Sequence, residues 1–198
     1  MIKLITQSIR QTLVWTIVTG MLYPLAITAI AQLAFHDKAN GSLVERGGKL
    51  VGSALLAQQF TGAGYFWSRP SANSYGTGPS GLTASSGSNY GPTSAQLQTD
   101  VRNNAKALRE AHKLAADAPV PADLVFASAS GVDPHISPEA ARFQIARVAV
   151  ARGLPEDKVR GLVEQYIESP QWGFLGEARV NVLLLNLALD AADGKKSG

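Results

Sequence analysis

The chain has 198 residues, no cysteine and a formal net charge of +3, which comes from scattered lysines and arginines. A chain of this length holds one soluble core together with an additional segment, and the lack of cysteine excludes disulfides and thiolate metal sites. Because the basic residues form no cluster, we expect no nucleic-acid partner.

The N-terminal part contains a long uncharged stretch. Residues 11–35 read QTLVWTIVTGMLYPLAITAIAQLAF, and about 25 residues of helix reach about 37 Å, which is enough to cross a bilayer. We predict a short N-terminal segment at residues 1–10 and a transmembrane helix at residues 11–36. The alternative is a cleaved signal peptide, whose apolar region is usually only about 7–15 residues long. Basic residues flank both ends of the stretch, so their number does not fix its orientation.

The remaining residues, 37–198, are predicted to form a single soluble α+β domain with mixed helices and strands. An apolar run at residues 50–60, LVGSALLAQQF, is a strand candidate. A Ser/Gly-rich loop follows at residues 68–92 and has no charged side chain after Arg69. This composition is typical of a disordered linker, whereas its aromatic residues, Tyr75 among them, favour a loop that binds a surface.

The second half of the domain contains helix-capping patterns. Thr93, with Gln96 three residues later, predicts the start of a helix over residues 93–117. Ser137 is the predicted N-cap of another helix, in which proline takes the first helical position, and Gly153 is its predicted end.

Three further elements are predicted from local composition. Residues 123–130, DLVFASAS, are a strand candidate. Residues 154–170 predict a helix with a proline and acidic residues at its start and a proline beyond its end. Residues 179–193, RVNVLLLNLALDAAD, are too apolar for periodicity to separate helix from strand, but the Leu and Ala of the second half favour a helix.

One segment, GVDPHISPEA at residues 131–140, concentrates reactive side chains. Ser137 is explained as a helix cap, and Glu139 is favoured by the positive end of the helix dipole. Asp133 and His135 stay without such a role, and a metal site there needs a third ligand from elsewhere. We interpret the segment as a turn that enters a helix, with metal or acid–base chemistry as the alternative.

Other motifs give no support for an independent active site. The GTGPSG at residues 76–81 matches the dinucleotide-binding glycine pattern, but polar loop lies on both sides where that pattern needs a strand and a helix. The chain also lacks the G-x-S-x-G elbow of serine hydrolases. We predict no catalytic residue and no metal ligand.

Several stretches, taken in order after the apolar N-terminal segment, resemble the C subunit of the Kdp high-affinity potassium-transporting P-type ATPase. They read GSALLAQQF, YFWSRPSANSY, SSGSNYGP, SASGVDPHISPEAARFQIARVA and GEARVNVLLLNLALD. They are spread over residues 52–190, and with the apolar N-terminal segment the resemblance extends over essentially the whole chain. The sequence also lacks the DKTGT phosphorylation signature of the pump subunit and the TVGYG loop of a potassium filter.

The resemblance implies a non-catalytic subunit of an ATP-driven potassium importer. Such a subunit is needed for assembly and stability of the complex and acts as a catalytic chaperone that raises the ATP affinity of the ATP-hydrolysing B subunit. The implied partners are that B subunit, a potassium-channel-like A subunit, a small F subunit and the lipid bilayer. No cofactor is implied for this chain alone, because the complex handles ATP and potassium. The implied location is the inner (cytoplasmic) membrane, with the N-terminus inside and the domain periplasmic or extracellular.

The stretches that carry the resemblance also supply the residues expected at a partner-docking surface or in structural motifs. They are Arg69, Pro70, Ser71, Tyr75, Gly87, Ser88, Asn89, Gly91, Pro92, Asp133, Pro134, His135, Ser137, Arg179, Asn181 and Asn186. We expect the long uncharged loop and the DPHIS turn to dock on the outer face of the channel-like subunit. The alternative function is that of a membrane-anchored extracytoplasmic binding protein or hydrolase.

Overall fold

The computed structural model describes residues 1–72 and 85–193. The chain forms two compact units, Met1–Val51 and Gly52–Gly198. The first contains a long apolar helix, and the second combines helices with a small antiparallel sheet. The predicted fold class, one apolar N-terminal helix followed by a mixed α/β domain, is confirmed.

The N-terminal helix, Ile2–Ala34, has 33 residues and includes an 18-residue stretch with a mean hydropathy of 1.8. It consists of α1 (Ile2–Ile17), a π-helical segment (Val18–Leu22) and α2 (Tyr23–Ala34). The π-helical segment precedes Pro24, whose nitrogen cannot donate the hydrogen bond that a regular α-helix needs. By length and composition the helix can cross a membrane, and the predicted boundaries of the span stay a prediction.

A short helix and a β-hairpin follow, and the second strand of the hairpin ends two residues after the first unit. The helix is α3 (His36–Ala39), and the hairpin pairs β1 (Leu43–Arg46) with β2 (Lys49–Ser53). Gly47 and Gly48 form the turn with φ values of 59° and 76°. Two successive residues with positive φ are what the common two-residue hairpin turn requires, and glycine adopts this conformation without steric cost.

The strand predicted at residues 50–60 is wrong over most of its length, because β2 ends at Ser53. The Ser53 hydroxyl accepts a hydrogen bond from the Leu55 N–H at 3.1 Å. Such local side-chain bonds compete with strand pairing and favour turns. The rest of the run forms a turn and irregular chain.

The strand predicted at residues 123–130 is also wrong. The segment begins in a 3-10 turn, Ala122–Leu124, and continues as irregular chain. The carbonyl of Val125 accepts a hydrogen bond from Asn104 Nδ2 at 2.9 Å. A side chain therefore satisfies a backbone acceptor that a strand neighbour would occupy.

The sheet of the second unit has the order β3-β5-β4 and is antiparallel. Its strands are β3 (His135–Ile136), β4 (Ile167–Glu168) and β5 (Arg179–Asn181). Val180 lies in the central strand opposite Ile136 and is fully buried. The DPHIS segment thus contributes a two-residue strand where the sequence predicts only a turn.

The helices of the second unit pack around this sheet. In the described part they are α4 (Ala95–Ala111), α5 (Pro138–Phe143), α6 (Ile145–Arg152), α7 (Glu156–Gln165) and α8 (Val182–Ala192). The core consists of buried apolar side chains from helices, strands and the segment before the Ser/Gly-rich loop. They include Phe66, Leu108, Ile136, Ile145, Val148, Val163, Val180, Leu185 and Leu189.

The capping predictions are partly confirmed. Ser137 caps α5 by accepting a backbone N–H at 3.0 Å, and Gly153 ends α6 in the left-handed conformation, with φ of 66°. The single helix predicted between these two residues is wrong, because the helix is interrupted at Gln144, whose side chain bonds to the Trp67 backbone. Helix α4, however, is capped by Ser94, whose hydroxyl accepts a backbone N–H from the first turn at 3.3 Å. The prediction of Thr93 is therefore wrong by one residue.

The two C-terminal predictions are confirmed in their main part. Helix α7 lies within residues 154–170, and α8 occupies most of residues 179–193. The first three residues of the latter stretch form β5 instead. The change of element occurs at Asn181, whose side-chain oxygen accepts the Leu184 N–H at 3.1 Å and caps α8.

Candidate partner-docking surface

Two buried amide side chains hold the chain segment that leads into the Ser/Gly-rich loop. Asn186 on α8 accepts the Phe66 N–H at 2.8 Å and donates to the Phe66 carbonyl at 2.9 Å. Gln144, between α5 and α6, accepts the Trp67 N–H at 2.8 Å and donates to the Trp67 carbonyl at 3.1 Å. Each amide therefore pairs with the backbone as a strand neighbour would, and the next residues leave the core in a fixed direction.

Arg147 on α6 also binds the chain segment that leads into the Ser/Gly-rich loop. Its guanidinium donates to the carbonyls of Ala63 and Tyr65 at 2.6 and 3.0 Å and to Gln144 Oε1 at 2.7 Å. It also lies 3.9 Å from the ring centroid of Trp67, in cation–π geometry. Burial lowers the pKa of Arg147 to about 10, and the side chain holds its charge with neutral acceptors around it.

His112, at the end of α4, is the fourth acceptor of that guanidinium. Arg147 Nε lies 3.1 Å from His112 Nε2, and the imidazole packs against Phe143 at a ring-centroid distance of 4.5 Å. Burial, followed by the charge of Arg147, lowers the pKa of His112 to about 4. The imidazole is therefore neutral at physiological pH and can accept the arginine N–H.

An ion pair joins this segment to the DPHIS segment. Arg69 Nη1 lies 3.1 Å from Asp133 Oδ2, with both side chains about one quarter exposed. Asp133 Oδ1 accepts the backbone N–H of His135 at 3.0 Å, and the imidazole Nδ1 lies 3.7 Å away. Burial raises the pKa of Asp133, but the contacts from His135 and Arg69 outweigh it and lower the pKa below the usual value. The charged Asp133 carboxylate thus connects Arg69 with the DPHIS segment through an ion pair and a hydrogen bond.

The residues after Arg69 bond to the chain just before the DPHIS segment. Ser71 Oγ donates to the Gly131 carbonyl at 2.7 Å, and the Pro70 carbonyl accepts the Ser128 N–H at 3.1 Å. The entry into the Ser/Gly-rich loop is thereby fixed on the same side as the ion pair.

The far end of that loop returns to the same place. Ser85 Oγ donates to the Ser130 carbonyl at 3.0 Å. A side chain at Gly87 would place its Cβ 2.5 Å from the Ala129 carbonyl oxygen, so only glycine fits there. Both ends of the loop therefore lie against residues 128–131. The predicted site residue Tyr75 lies outside the described residues.

The remaining loop residues lead into α4. Ser88 lines a cleft of about 470 Å³ beside α4, together with Pro70 and Ser71. Asn89 adopts a positive φ of 53°, and the Gly91 carbonyl accepts the Ser94 N–H at 3.0 Å. Pro92 follows in the turn before the helix.

Two clefts adjoin the loop entry and share Pro70, Ser71, Ala72 and Asn104 in their linings. The second has a volume of about 580 Å³ and is lined also by Arg69 and Trp67. Together they border α4 next to the ion pair. A concave surface with mixed polar and apolar lining is therefore present beside the loop.

Four predicted residues have structural roles that separate them from the Arg69–Asp133 pair. Asn181 caps α8 and donates to the Ala54 carbonyl at 2.8 Å. Arg179, at the other end of β5, pairs across the sheet with Glu168 at 3.0 Å. Ser137 caps α5, and Asn186 is buried. The structure brings together Arg69, Pro70, Ser71, Gly87, Asp133, Pro134 and His135, which we call the loop-anchor surface.

The alternative of metal chemistry at Asp133 and His135 gains no third ligand. Among residues 1–72 and 85–193, no group of three His, Cys, Asp or Glu side chains is placed to hold a metal ion. The Asp133 carboxylate is engaged by Arg69 and by the His135 backbone.

The sequence interpretation missed Gln144 and Arg147. A weak signal was present, because both are polar residues within FQIARVAV, on a helical stretch that otherwise supplies the core. A buried polar residue requires a hydrogen-bonding partner, but the partners lie about 80 residues away along the chain.

Known proteins are similar to this chain over nearly its full length. The family described as "K+-transporting ATPase, c chain" matches residues 5–191. A protein from Methylococcus capsulatus is 51% identical over 194 residues, covering 96% of this chain and 99% of the relative. One from Polaromonas naphthalenivorans is 57% identical over 178 residues, covering 90% and 89%. One from Myxococcus xanthus is 54% identical over 188 residues, covering 94% and 87%. Each is a potassium-transporting ATPase KdpC subunit, and the similarity extends over both units.

Proposed function

The chain belongs to the family of C chains of K+-transporting ATPases, and from this premise we propose that it is the accessory subunit of an ATP-driven potassium importer, without a catalytic site of its own. The observation that carries the proposal is the extent of the match. Residues 5–191 include the apolar helix as well as the folded domain, so the similarity is not limited to one unit.

The partners we propose are a potassium-channel-like A subunit, an ATP-hydrolysing B subunit and a small F subunit. The helix Ile2–Ala34 anchors the chain in the inner membrane with the N-terminus inside, and the domain lies in the periplasm or outside the cell. Its length and lack of acidic residues support this anchorage.

The loop-anchor surface is the part of the domain that we propose docks on the outer face of the channel-like subunit. The proposal is supported by ordered contacts at the surface that do not contribute to the apolar core. Four contacts fix the two loop ends and the DPHIS segment at one place on the surface: Arg69–Asp133, Ser71–Gly131, Ser85–Ser130 and the close approach of Gly87 to Ala129. Preorganisation of this kind lowers the entropy lost on binding.

We also propose that the chain raises the ATP affinity of the B subunit. A domain outside the membrane does not touch cytoplasmic nucleotide, so the coupling passes through the membrane-embedded parts as an allosteric free energy, typically about 1–3 kcal/mol. A change of this size corresponds to about 5–150-fold in nucleotide affinity. Neither ATP nor potassium is proposed to bind to this chain alone.

The test is co-purification from cells that express the neighbouring subunits. The membrane is solubilised in mild detergent, the chain is captured by a C-terminal tag, and the eluate is assayed for potassium-stimulated ATPase activity. We expect two large membrane partners and activity. Arg69→Ala is expected to reduce recovery of the partners, whereas the matched control Arg142→Ala, in an exposed ion pair with Glu164, is expected to retain them. A clean, inactive single chain would contradict the proposal and favour a binding function for the clefts beside α4.

A further inference from the structure

A hairpin between β4 and β5 exposes large apolar side chains at its tip. Trp172 is 85% exposed and Phe174 is 73% exposed, and Leu175 beside them is 44% exposed. Monomeric surfaces carry single exposed apolar residues, but a Trp and a Phe two positions apart in one turn form a patch that favours an apolar partner. We call residues 170–176 the aromatic tip.

Backbone hydrogen bonds fix the conformation of the aromatic tip. Gln171 and Leu175 exchange two bonds, each 2.9 Å long, and the Gly173 N–H donates to the Pro170 carbonyl at 2.9 Å. Trp172 itself has a positive φ of 53°, which is uncommon for a residue with a bulky side chain. The structure therefore holds the two aromatic rings outward in a defined turn.

The charge pattern of the hairpin is complementary to the polarity of a bilayer surface. Residues 169–176, SPQWGFLG, carry no charge. The charged residues are at the base of the hairpin, where Arg179 pairs with Glu168 at 3.0 Å and Glu177 follows the tip. Trp and other aromatic residues are enriched at membrane–water interfaces, where apolar rings enter the acyl boundary and charged groups stay at the headgroups.

From this pattern we propose that the aromatic tip inserts into the lipid headgroup region of the membrane in which the chain is anchored. The inference rests on the proposed membrane anchorage by the helix Ile2–Ala34, because an anchored chain keeps its domain at a membrane–water boundary. Trp172 and Phe174 enter the boundary between headgroups and acyl chains, and the ion pair of Arg179 with Glu168 stays in the aqueous layer.

Tryptophan fluorescence of the full chain tests this inference. The chain has three tryptophans, Trp15 in the helix, Trp67 in the domain and Trp172 in the tip. The Trp15→Phe variant is reconstituted into vesicles of phosphatidylcholine and phosphatidylglycerol, some of which carry lipids brominated near the headgroup or deep in the acyl chain. The Trp15→Phe/Trp172→Phe double variant supplies the signal of Trp67, which is subtracted.

We expect the Trp172 signal to be blue-shifted, to be protected from aqueous iodide and to lose most of its intensity with the shallow bromine label. Quenching by iodide without quenching by brominated lipid would overturn the inference. The inference is also overturned if Trp172 is protected only in the assembled complex, because the tip then docks on another subunit. The Trp172→Phe variant reports separately on anchorage, since Trp15 is quenched by the deep label only if the helix spans the bilayer.

Discussion

Asn186 binds both backbone groups of Phe66, although the two residues are 120 positions apart in the chain. The Phe66 side chain is fully buried. The hydrogen bonds of 2.8 and 2.9 Å from the Asn186 side-chain amide replace the backbone hydrogen bonds that a neighbouring strand would form. This contact fixes the place at which the chain leaves the core towards Arg69, and it is therefore the basis of the loop-anchor surface.

Replacement of Asn186 by leucine is expected to destabilise the domain. The change keeps the side-chain size but leaves the Phe66 N–H and carbonyl buried without partners, at a cost of about 1–3 kcal/mol for each group. Thermal unfolding of the full chain in detergent, followed by circular dichroism, measures the effect. The matched control Asn103→Leu changes an exposed amide on α4. Equal unfolding temperatures of the two variants would contradict the structural role of Asn186.

Arg152 is expected to be sensitive to substitution because it forms a buried ion-pair network. It pairs with Asp190 at 2.8 Å and with Asp193 at 2.9 Å, and its side chain is 3% exposed. Arg152→Met removes the guanidinium that pairs with both carboxylates, and the loss of one partner of a buried pair costs about 3–5 kcal/mol.

Denaturant unfolding of Arg152→Met measures that loss. Arg142→Met is the control, because Arg142 forms an equally short pair with Glu164 on the exposed surface. Exposed pairs contribute little to stability. If the two variants unfold at the same denaturant concentration, the ion pairs of Arg152 do not contribute more to stability than the exposed pair.

His112 is expected to make stability depend on pH in the weakly acidic range. Burial and Arg147 lower the pKa of His112 from 6.5 to about 4 in the folded chain. Between these values the unfolded chain binds more protons, so the free energy of unfolding falls as the pH decreases from about 6.5 to about 4 and changes no further below it. For this half-buried group we expect about 1–2 kcal/mol after solvent screening.

The measurement is the free energy of unfolding as a function of pH for the wild type and His112→Gln. Glutamine accepts a hydrogen bond from Arg147 but does not titrate, so the pH dependence should decrease. His36→Gln, in the exposed α3, is the matched control for the substitution itself. A His112→Gln profile that is parallel to the wild type would disprove the assignment.

Charge-reversal variants of the ion pair between Arg69 and Asp133 distinguish a structural role of this pair from a role in docking. Arg69→Asp alone places two carboxylates together and should destabilise the loop-anchor surface. The double variant Arg69→Asp/Asp133→Arg restores an ion pair in the reverse order. We expect it to regain part of the unfolding temperature, since the His135 N–H still lacks its Asp133 acceptor, but not the recovery of partner subunits, because the partly exposed charges are exchanged. Recovery of both would assign the pair to the fold alone.

Substitutions at the start of α4 test whether Ser94 or Thr93 caps this helix. Ser94→Ala removes the side-chain oxygen that accepts an N–H in the first turn and should cost about 1 kcal/mol. Thr93→Ala should leave the free energy of unfolding nearly unchanged, since Thr93 makes no capping bond. Thermal unfolding of both variants compares the two positions, and a larger effect at Thr93 would support the capping box that the sequence indicates.

Features that depend on neighbouring residues followed from the sequence. The apolar N-terminal helix, the caps at Ser137 and Gly153 and the helix over most of residues 179–193 need only composition and spacing, and the structure confirms them. The ordered resemblance also identified the family correctly. The cap of α4 was misplaced because Thr93 and Ser94 are both good capping residues, and the backbone conformation that chooses between them depends on the preceding turn.

Features that join distant segments were decided only by the tertiary structure. Residues 123–130 have a strand-like composition, but no strand among the described residues pairs with them, and Asn104 satisfies the Val125 carbonyl instead. Gln144 reaches Trp67 across 77 positions, and Arg69 reaches Asp133 across 64. Each buried polar group must find a partner, but the sequence does not specify which one. That choice depends on which surfaces pack together when the apolar core forms, and so on the whole fold.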